Sequence, residues 1–468
     1  MRPRILFCLF LLTIAGSARA QNETKLGADF RKEGASLKAD CSSFKSILSC
    51  AEVLFTDHPV HIAVGSIAPQ NGFGAGVAFL THYTPNDSWR LSWNTDAVAS
   101  MNGSWRAGVY MKAIFTGPKK VVVTTGRPAQ PQESTPTEFE RPVFNLYAQA
   151  ISLNKLGFFG LGPSTPVTGR SFFGMREEIV GTNVNWPMNL SWPILKWLNP
   201  SLHGEANGRF VAIRASNGQP SPSIEQLYTE ATAPGLTSQP GFAQFGEGLR
   251  LQPTYGDHVR LNYFVVFQQY VAPGDSVFSF RRFTADLSHE FPIYRKTRTQ
   301  QPRYHNGPDD CSKDVNDHGC PAITLDREGT FGVRLLISES MAPSGHVVPF
   351  YFQPTLGGSD IMGNSSLGSY QDYRFRAPNV LLLRASFEHS IYGPMGFSCI
   401  LDEGKVALTR GDINFTHLSH SYSAGLTLRA GGFPQVYVLF SWGGKEGEHT
   451  IAQMNTSLLG GAARPALF

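Results

Sequence analysis

The places in this chain where residue types and spacing could do chemistry are few: two close cysteine pairs, one acidic loop and one glycine–serine run. Cys311 and Cys320 lie in a polar, loop-like stretch, where a bond between them would close a small ring that persists in an oxidising compartment. Cys41 and Cys50 have the same spacing, but Phe44, Ile47, Leu48, Ala51, Leu54 and Phe55 fall on one face of a helix. Nine helical steps cover about 13.5 Å, far beyond the Cα separation a disulfide tolerates, so either the helix starts late and bends or this pair stays unbonded. Cys399 falls within an apolar strand pattern and reads as packing. Asp314, Asn316 and Gly319 partly follow a calcium-loop spacing. His318 holds a ligand position there, however, and Leu325 stands where the bidentate carboxylate belongs, so a solvated loop is the better reading. The run Gly363-Asn364-Ser365-Ser366-Leu367-Gly368 lacks the Gly-x-Ser-x-Gly spacing of a nucleophile elbow. The scattered histidines and serines give no reason to choose any pair as a hydrolytic site. No catalytic residue, metal or cofactor is expected.

The elements that position these residues follow from composition. Only 16% of the 468 residues are charged, under the roughly 25% usual for soluble domains, while aromatics reach 12%. That balance excludes intrinsic disorder. With 47 glycines and 31 prolines a coiled coil is excluded as well, and an all-β chain rich in turns remains. Residues 1–20 read as a secretion signal. Arg2 and Arg4 make a basic start, Ile5 to Ile14 an apolar stretch, and Ala18-Arg19-Ala20 a cleavage pattern. Losing Arg2, Arg4 and Arg19 takes the formal charge from +4 to +1, and no basic cluster suggests a nucleic-acid partner. Cys8 is filler in the apolar stretch. Beyond the signal no run approaches the length of a membrane helix; the longest aliphatic stretch is Val380-Leu381-Leu382-Leu383. The exported chain is therefore either soluble or crosses a membrane as a barrel.

Periodicity decides between these. Residues 21–59 form a short N-terminal segment with one helix, expected in the periplasm or plugging a lumen. From Val60 the period is two. Trp89, Leu91, Trp93, Thr95 and Ala97 alternate with Ser88, Arg90, Ser92, Asn94 and Asp96. Leu381, Leu383, Ala385 and Phe387 likewise oppose Arg384, Ser386 and Glu388. Segments of ten or more residues, greasy on one face and polar on the other, suit a membrane barrel with a watery interior, whereas sandwich strands run to about five or six residues. Sixteen such segments lie between 60 and 458, the tenth at 276–292, the eleventh at 329–341, the twelfth at 375–391 and the thirteenth at 396–407. Longer loops are expected at 117–141, 217–241, 294–328 and 342–374. The predicted fold is a closed, all-β, transmembrane antiparallel β-barrel over 60–459 with a C-terminal tail at 460–468. An even strand number is what a single-chain bacterial barrel requires.

The C-terminal third adds motifs. Val348-Pro349-Phe350-Tyr351, Leu356-Gly357-Gly358, Leu367-Gly368-Ser369-Tyr370, Phe387-Glu388, Leu401-Asp402-Glu403-Gly404 and Ser423-Ala424-Gly425-Leu426 follow in order. Over about 348–430 this order resembles the barrel of the bacterial surface antigen family, the BamA/TamA-like outer-membrane assembly and translocation porins; over 60–347 the resemblance is architectural. It implies a sixth extracellular loop folded into the lumen, with an arginine docked on an acidic residue of strand 13. Asp402 matches that acid, Gly404 the glycine after it, and Glu388 an inward glutamate on strand 12. The loop arginine is absent: Gly368 stands at its place. Either Arg374 or Arg376 substitutes, with Arg374 the nearer, and pairs with Asp402 or Glu388, or both arginines simply line the water-filled wall. Residues 21–59 are too few for even one of the family's periplasmic client-binding (POTRA) modules.

These readings together predict a bacterial outer-membrane protein whose partners are outer-membrane lipid and an unidentified client or periplasmic protein. The expected role is a transport or assembly-type porin without client-binding modules. The alternative is a passive diffusion channel or structural surface protein, and a barrel lipid hydrolase comes third.

Overall fold

The computed structural model describes residues 60–86, 88–116, 141–188, 192–255, 259–300, 323–392, 395–430 and 433–454. The chain divides into two compact units at Ile62/Ala63. Of the first, only residues 60–62 are described; nearly all of the described sheet belongs to the second. The signal 1–20, the segment 21–59, the tail 460–468 and all four paired cysteines (Cys41, Cys50, Cys311, Cys320) lie outside the described residues.

Sixteen long strands are present among the described residues. β1 (Val60–Ser66), β2 (Phe73–Asn86), β3 (Trp89–Ser100), β4 (Trp105–Phe115), β5 (Val143–Phe158), β6 (Ser171–Pro187), β7 (Pro200–Ala215) and β8 (Phe242–Leu251) come first. They are followed by β9 (Val259–Val271), β10 (Phe280–Gln300), β11 (Ile323–Met341), β12 (Asn379–Tyr392), β13 (Met395–Ala407), β14 (Ser419–Ala430), β15 (Phe433–Gly444) and β16 (Gly447–Met454). From β2 to β16 each strand pairs antiparallel with its chain neighbour, and β1 pairs with β2. A two-residue segment, Thr254–Tyr255, pairs with the start of β9 and brings the sheet to 17 strands.

Each of the sixteen expected segments is a strand, with boundaries shifted by four residues or more at β5, β7, β10, β11 and β12. Residues 294–300 and 323–328 of the expected loop are strand, because the β10–β11 hairpin absorbs a register shift at Pro292/Tyr294 and carries on to Gln300 and from Ile323. β12 starts at Asn379 rather than 375, since Phe375–Arg376 pair with Thr355–Leu356 inside the preceding connection. In a meander the connections alternate between two rims. Those after odd-numbered strands, including 342–378, share the far rim; those after even-numbered strands share the near rim, where β2 ends.

The sheet is patterned inside out. Phe73, Val77, Trp93, Leu146, Val180, Phe210 and Phe245 are exposed on one face, while Asn94, Asp96, Arg106, Gln149, Glu177, Arg209 and Gln244 are buried on the other. Water-soluble domains do the reverse with large apolar side chains. Register keeps each face continuous: Phe291, Phe331, Phe387, Cys399, Ala424 and Phe440 form one outer row across β10–β15. Cys399 is a free, half-buried thiol within that row.

The inner face is covered by the 342–378 connection. Its Val348, Phe350, Tyr351, Phe352, Ile361 and Tyr373 join a core with Ile151, Phe158, Phe173, Val211, Phe242, Tyr270 and Phe280 from the β5–β10 wall. Phe350 meets Phe158 and Phe173 edge-on at 5.2 Å each. A second core unites Leu356, Leu367, Tyr370 and Phe375 with Val380, Leu382 and Val406 of β12 and β13. Burying these aromatics is what holds the connection down, at roughly 1.5–3 kcal/mol for each large side chain.

Candidate functional site

The site is the place where this connection is fastened to the wall. β12 and β13 form a tight hairpin whose register sets Arg384 directly opposite Asp402. Cβ atoms of such partners lie about 5 Å apart, within reach of an arginine–carboxylate fork. The fork forms: Arg384 Nε donates to Asp402 Oδ1 at 2.7 Å and Nη2 to Oδ2 at 2.9 Å. The Arg384 Nη2 also donates to the carbonyl of Ser365 in the connection. Asp402, 2% exposed, then accepts a third bond at 2.9 Å from the backbone N–H of Leu367. Leu367 has φ +48°, a left-handed conformation that costs a non-glycine residue about 1–2 kcal/mol, and it is fully buried. The carboxylate therefore holds a strained turn in place. One step along, Ser369 N–H donates to Ser421 Oγ on β14 at 2.8 Å, and the Tyr437 hydroxyl on β15 donates to the Gly363 carbonyl at 2.9 Å.

The charges beside this fork are ordered too. Arg334 on β11 stands opposite Arg384, an arrangement of like charges that is unfavourable unless each finds its own acid. Arg334 forks onto Asp286 of β10 at 2.7 and 2.8 Å. Asp286, Arg334, Arg384 and Asp402 thus make two separate ion pairs across four strands.

Of the residues singled out from sequence, Asp402 and Gly404 are at the site. A Cβ on Gly404 would lie 3.0 Å from Leu356 Cδ1, so the glycine lets the connection approach β13 closely. Glu388 is on the same face of β12, four residues from Arg384 toward the near rim. The expected arginine pairing is wrong. Arg374 bonds instead to Glu446 in the β15–β16 turn and to the Thr165 hydroxyl and carbonyl at 2.8 and 2.6 Å. It also lies over the rings of Phe159 and Phe375. Arg376 donates to the carbonyls of Phe350 (2.8 Å) and Gln353 (3.4 Å) within the connection itself, and burial lowers its pKa to about 10. Neither arginine reaches Asp402 or Glu388. The reason is at position 368: a Cβ on Gly368 would lie 2.5 Å from Ser441 Oγ and 2.9 Å from Ser423 Oγ. The connection sits so close to β14 and β15 that no side chain fits, and the guanidinium comes from the wall instead.

Sequence reasoning missed Arg384, although the signal was there: counting outward from the Gly393-Pro394 dipeptide brings it to within one residue of facing Asp402. It also missed Arg282 of β10, which is buried, donates to the Phe352 carbonyl and to Ser340 Oγ (3.2 Å), and fastens the connection two strands away from the fork. Nothing in its local sequence marks that role. Among the described residues no group of three or more metal-binding side chains is present.

No protein-family profile matches the sequence, and no curated protein matches it. Solved structures similar in fold include the following three. CdiB from Acinetobacter baumannii is 11% identical with a TM-score of 0.46, the match covering 84% of this chain and 58% of that one. CdiB from Escherichia coli is 12% identical with a TM-score of 0.48, covering 85% and 62%. BamA from Haemophilus ducreyi lacking POTRA domains 1–3 is 9% identical with a TM-score of 0.43, covering 85% and 68%. The chain spans about six tenths of the length of the two CdiB structures.

Proposed function

We propose that this chain is a closed sixteen-stranded barrel of the bacterial outer membrane, a transport or assembly-type porin of the surface antigen kind whose lumen is plugged by the 342–378 connection. Residues 1–20 would be its export signal, with 21–59 periplasmic or inside the lumen. The observation that carries this reading is the inverted sheet, apolar outside and polar inside, with the connection locked to its inner face. Lipid is the solvent that favours such an outer face, and only a closed sheet leaves no backbone group unpaired in it. The dimensions agree. Phe73 and Tyr83, exposed on the outer face of β2 at 55% and 48%, are ten residues apart. At about 3.3 Å per residue and a tilt near 40° they bracket about 25 Å, the height of an apolar band between aromatic girdles.

Closure is supported by what one connection touches. Tyr373 Oη donates to Pro69 O in the β1–β2 turn, while Arg374 reaches Glu446 in the β15–β16 turn. Ser66 and Phe73 line a cavity of about 520 Å³ together with Asp372, Val436 and Ile451. The aromatic plug favours a gated transporter over a passive diffusion channel. The test is conductance in planar bilayers, on protein whose mobility on unheated detergent gels shifts with boiling. Wild type is expected to be nearly silent, and Asp402→Ala to open intermittently; a steady open pore in the wild type would refute the plugged reading.

A further inference from the structure

The short helix between β6 and β7, α1 (Pro193–Leu198), has no place in the lock or the plug. Its limits are local: proline at the first helical position, and Asn199 in the left-handed conformation (φ +43°) closing its end. What it displays is unusual for a connection at a wet rim. Trp192 is 74% exposed and Ile194 72%, and Trp197, one turn on from Ile194, is exposed as well. Lys196 projects about 200° around the helix from Ile194, on the opposite side.

The surroundings continue this surface. Along the near rim Trp89 meets Phe115 at 5.1 Å and Phe144 at 5.9 Å, and Phe144 meets Trp186 at 6.0 Å. Trp197 then packs edge-on against Tyr255 at 5.1 Å. The row runs across β3, β4, β5 and β6 and through α1 to Tyr255 beside the start of β9, with Trp186, Leu202 and Tyr255 exposed on the same side. Indole rings prefer the boundary between lipid and water, where the ring is apolar and the N–H stays wet. An amphipathic segment with aromatics on one side and a lysine on the other lies in that plane rather than across it.

We propose that α1 is an in-plane membrane anchor: Trp192, Ile194 and Trp197 enter the headgroup–acyl boundary of the leaflet at the near rim, and Lys196 faces the lipid phosphates. The occupant is the bilayer surface, because the helix extends an apolar face already continuous along the sheet. The proposal rests on the barrel reading, so the test probes both. The protein is reconstituted in phosphatidylcholine vesicles whose acyl chains carry bromine near the glycerol end or near the methyl end. Emission differences between wild type and Trp192→Phe, and between wild type and Trp93→Phe, isolate each indole. Both indoles are exposed, so neither change threatens folding. Trp192 emission is expected to be quenched at least twofold more by shallow than by deep bromine, and to be protected from aqueous acrylamide. Trp93, four residues inward of the rim on β3, is expected to respond to deep bromine. Acrylamide quenching of Trp192 without bromine quenching, while Trp93 responds to bromine, would place that face in water or on a protein and overturn the anchor alone. No bromine quenching of either would overturn the barrel reading and the anchor with it.

Discussion

Replacing Asp402 with alanine removes the acceptor for three hydrogen bonds and leaves the Arg384 guanidinium without its carboxylate. Arg384 is 16% exposed at its side chain and Asp402 3%, so the pair is mostly desolvated. Breaking a buried pair by deleting one partner costs about 3–5 kcal/mol. Arg384 retains some water, which puts the expected loss at the lower end, about 3 kcal/mol. At about 1.4 kcal/mol per tenfold change, undocking of the connection becomes roughly a hundredfold more frequent. Hydrogen exchange reads this directly, since Leu367 and Ser369 N–H are held by Asp402 and Ser421. Peptides spanning 358–374 should exchange about a hundredfold faster in Asp402→Ala, and comparably in Arg384→Ala. The double variant should be no worse than the worse single, because each single already destroys the fork. Asp402→Asn, which keeps an acceptor for Leu367, should fall between. Additive single effects, or unchanged exchange in Asp402→Ala, would refute the claim that this fork is the fastening.

Three further outcomes are expected. Gly368→Arg, which restores the arginine of the resembling family, should eject the connection rather than tighten it. Its Cβ has no room between Ser441 and Ser423, and overpacking alone costs about 1–3 kcal/mol; slower exchange of 358–374 would count against this. Phe350→Ala should cost about 3–5 kcal/mol of docking and raise bilayer conductance, since Phe350 is fully buried between β5 and β6. Partial burial raises the Glu230 pKa, but hydrogen bonds from Thr237, Gly235 and Leu236 outweigh it and hold the carboxyl below its ordinary value. A depressed folded pKa gives stability above the unfolded value that is lost on acidification, so pepsin cleavage of 217–241 should rise below about pH 4 in wild type. Normalised to an unfolded substrate that reports pepsin's own pH profile, cleavage in Glu230→Gln should show no such rise.

The strand count and the two faces were legible because period-two alternation is a local property that burial on one side enforces. The Asp402 position was legible through a motif. Its partner was not, because the resemblance directed attention to the connection for an arginine that the wall supplies. Arg384 was visible as a polar residue on β12, but its role depends on hairpin register, which a bulge at Ser390/Tyr392 shifts by one. Arg374 and Arg376 looked equivalent as alternate residues of an extended segment. Only the folded connection separates them, one reaching Glu446 and the other turning back on its own carbonyls. Strand ends differ from expectation in both directions: charged residues 294–300 and 323–328 read as loop although the backbone keeps pairing, whereas Phe375–Arg376 read as the start of β12 but pair inside the connection.

The bond from Tyr373 to Pro69 joins residues 304 positions apart. Contacts of such sequence separation require a large loop to close first, which slows folding. The plug cannot complete its contacts until the first turn and the β14–β16 strands are both present, so its docking belongs to the last stage of assembly. The aromatic end of the connection is covered before this last step, because Phe350 and Phe352 pack on Phe158, Phe173, Phe242 and Tyr270 of β5–β9. The connection therefore closes in order, its aromatic end first and its Tyr373–Arg374 end last.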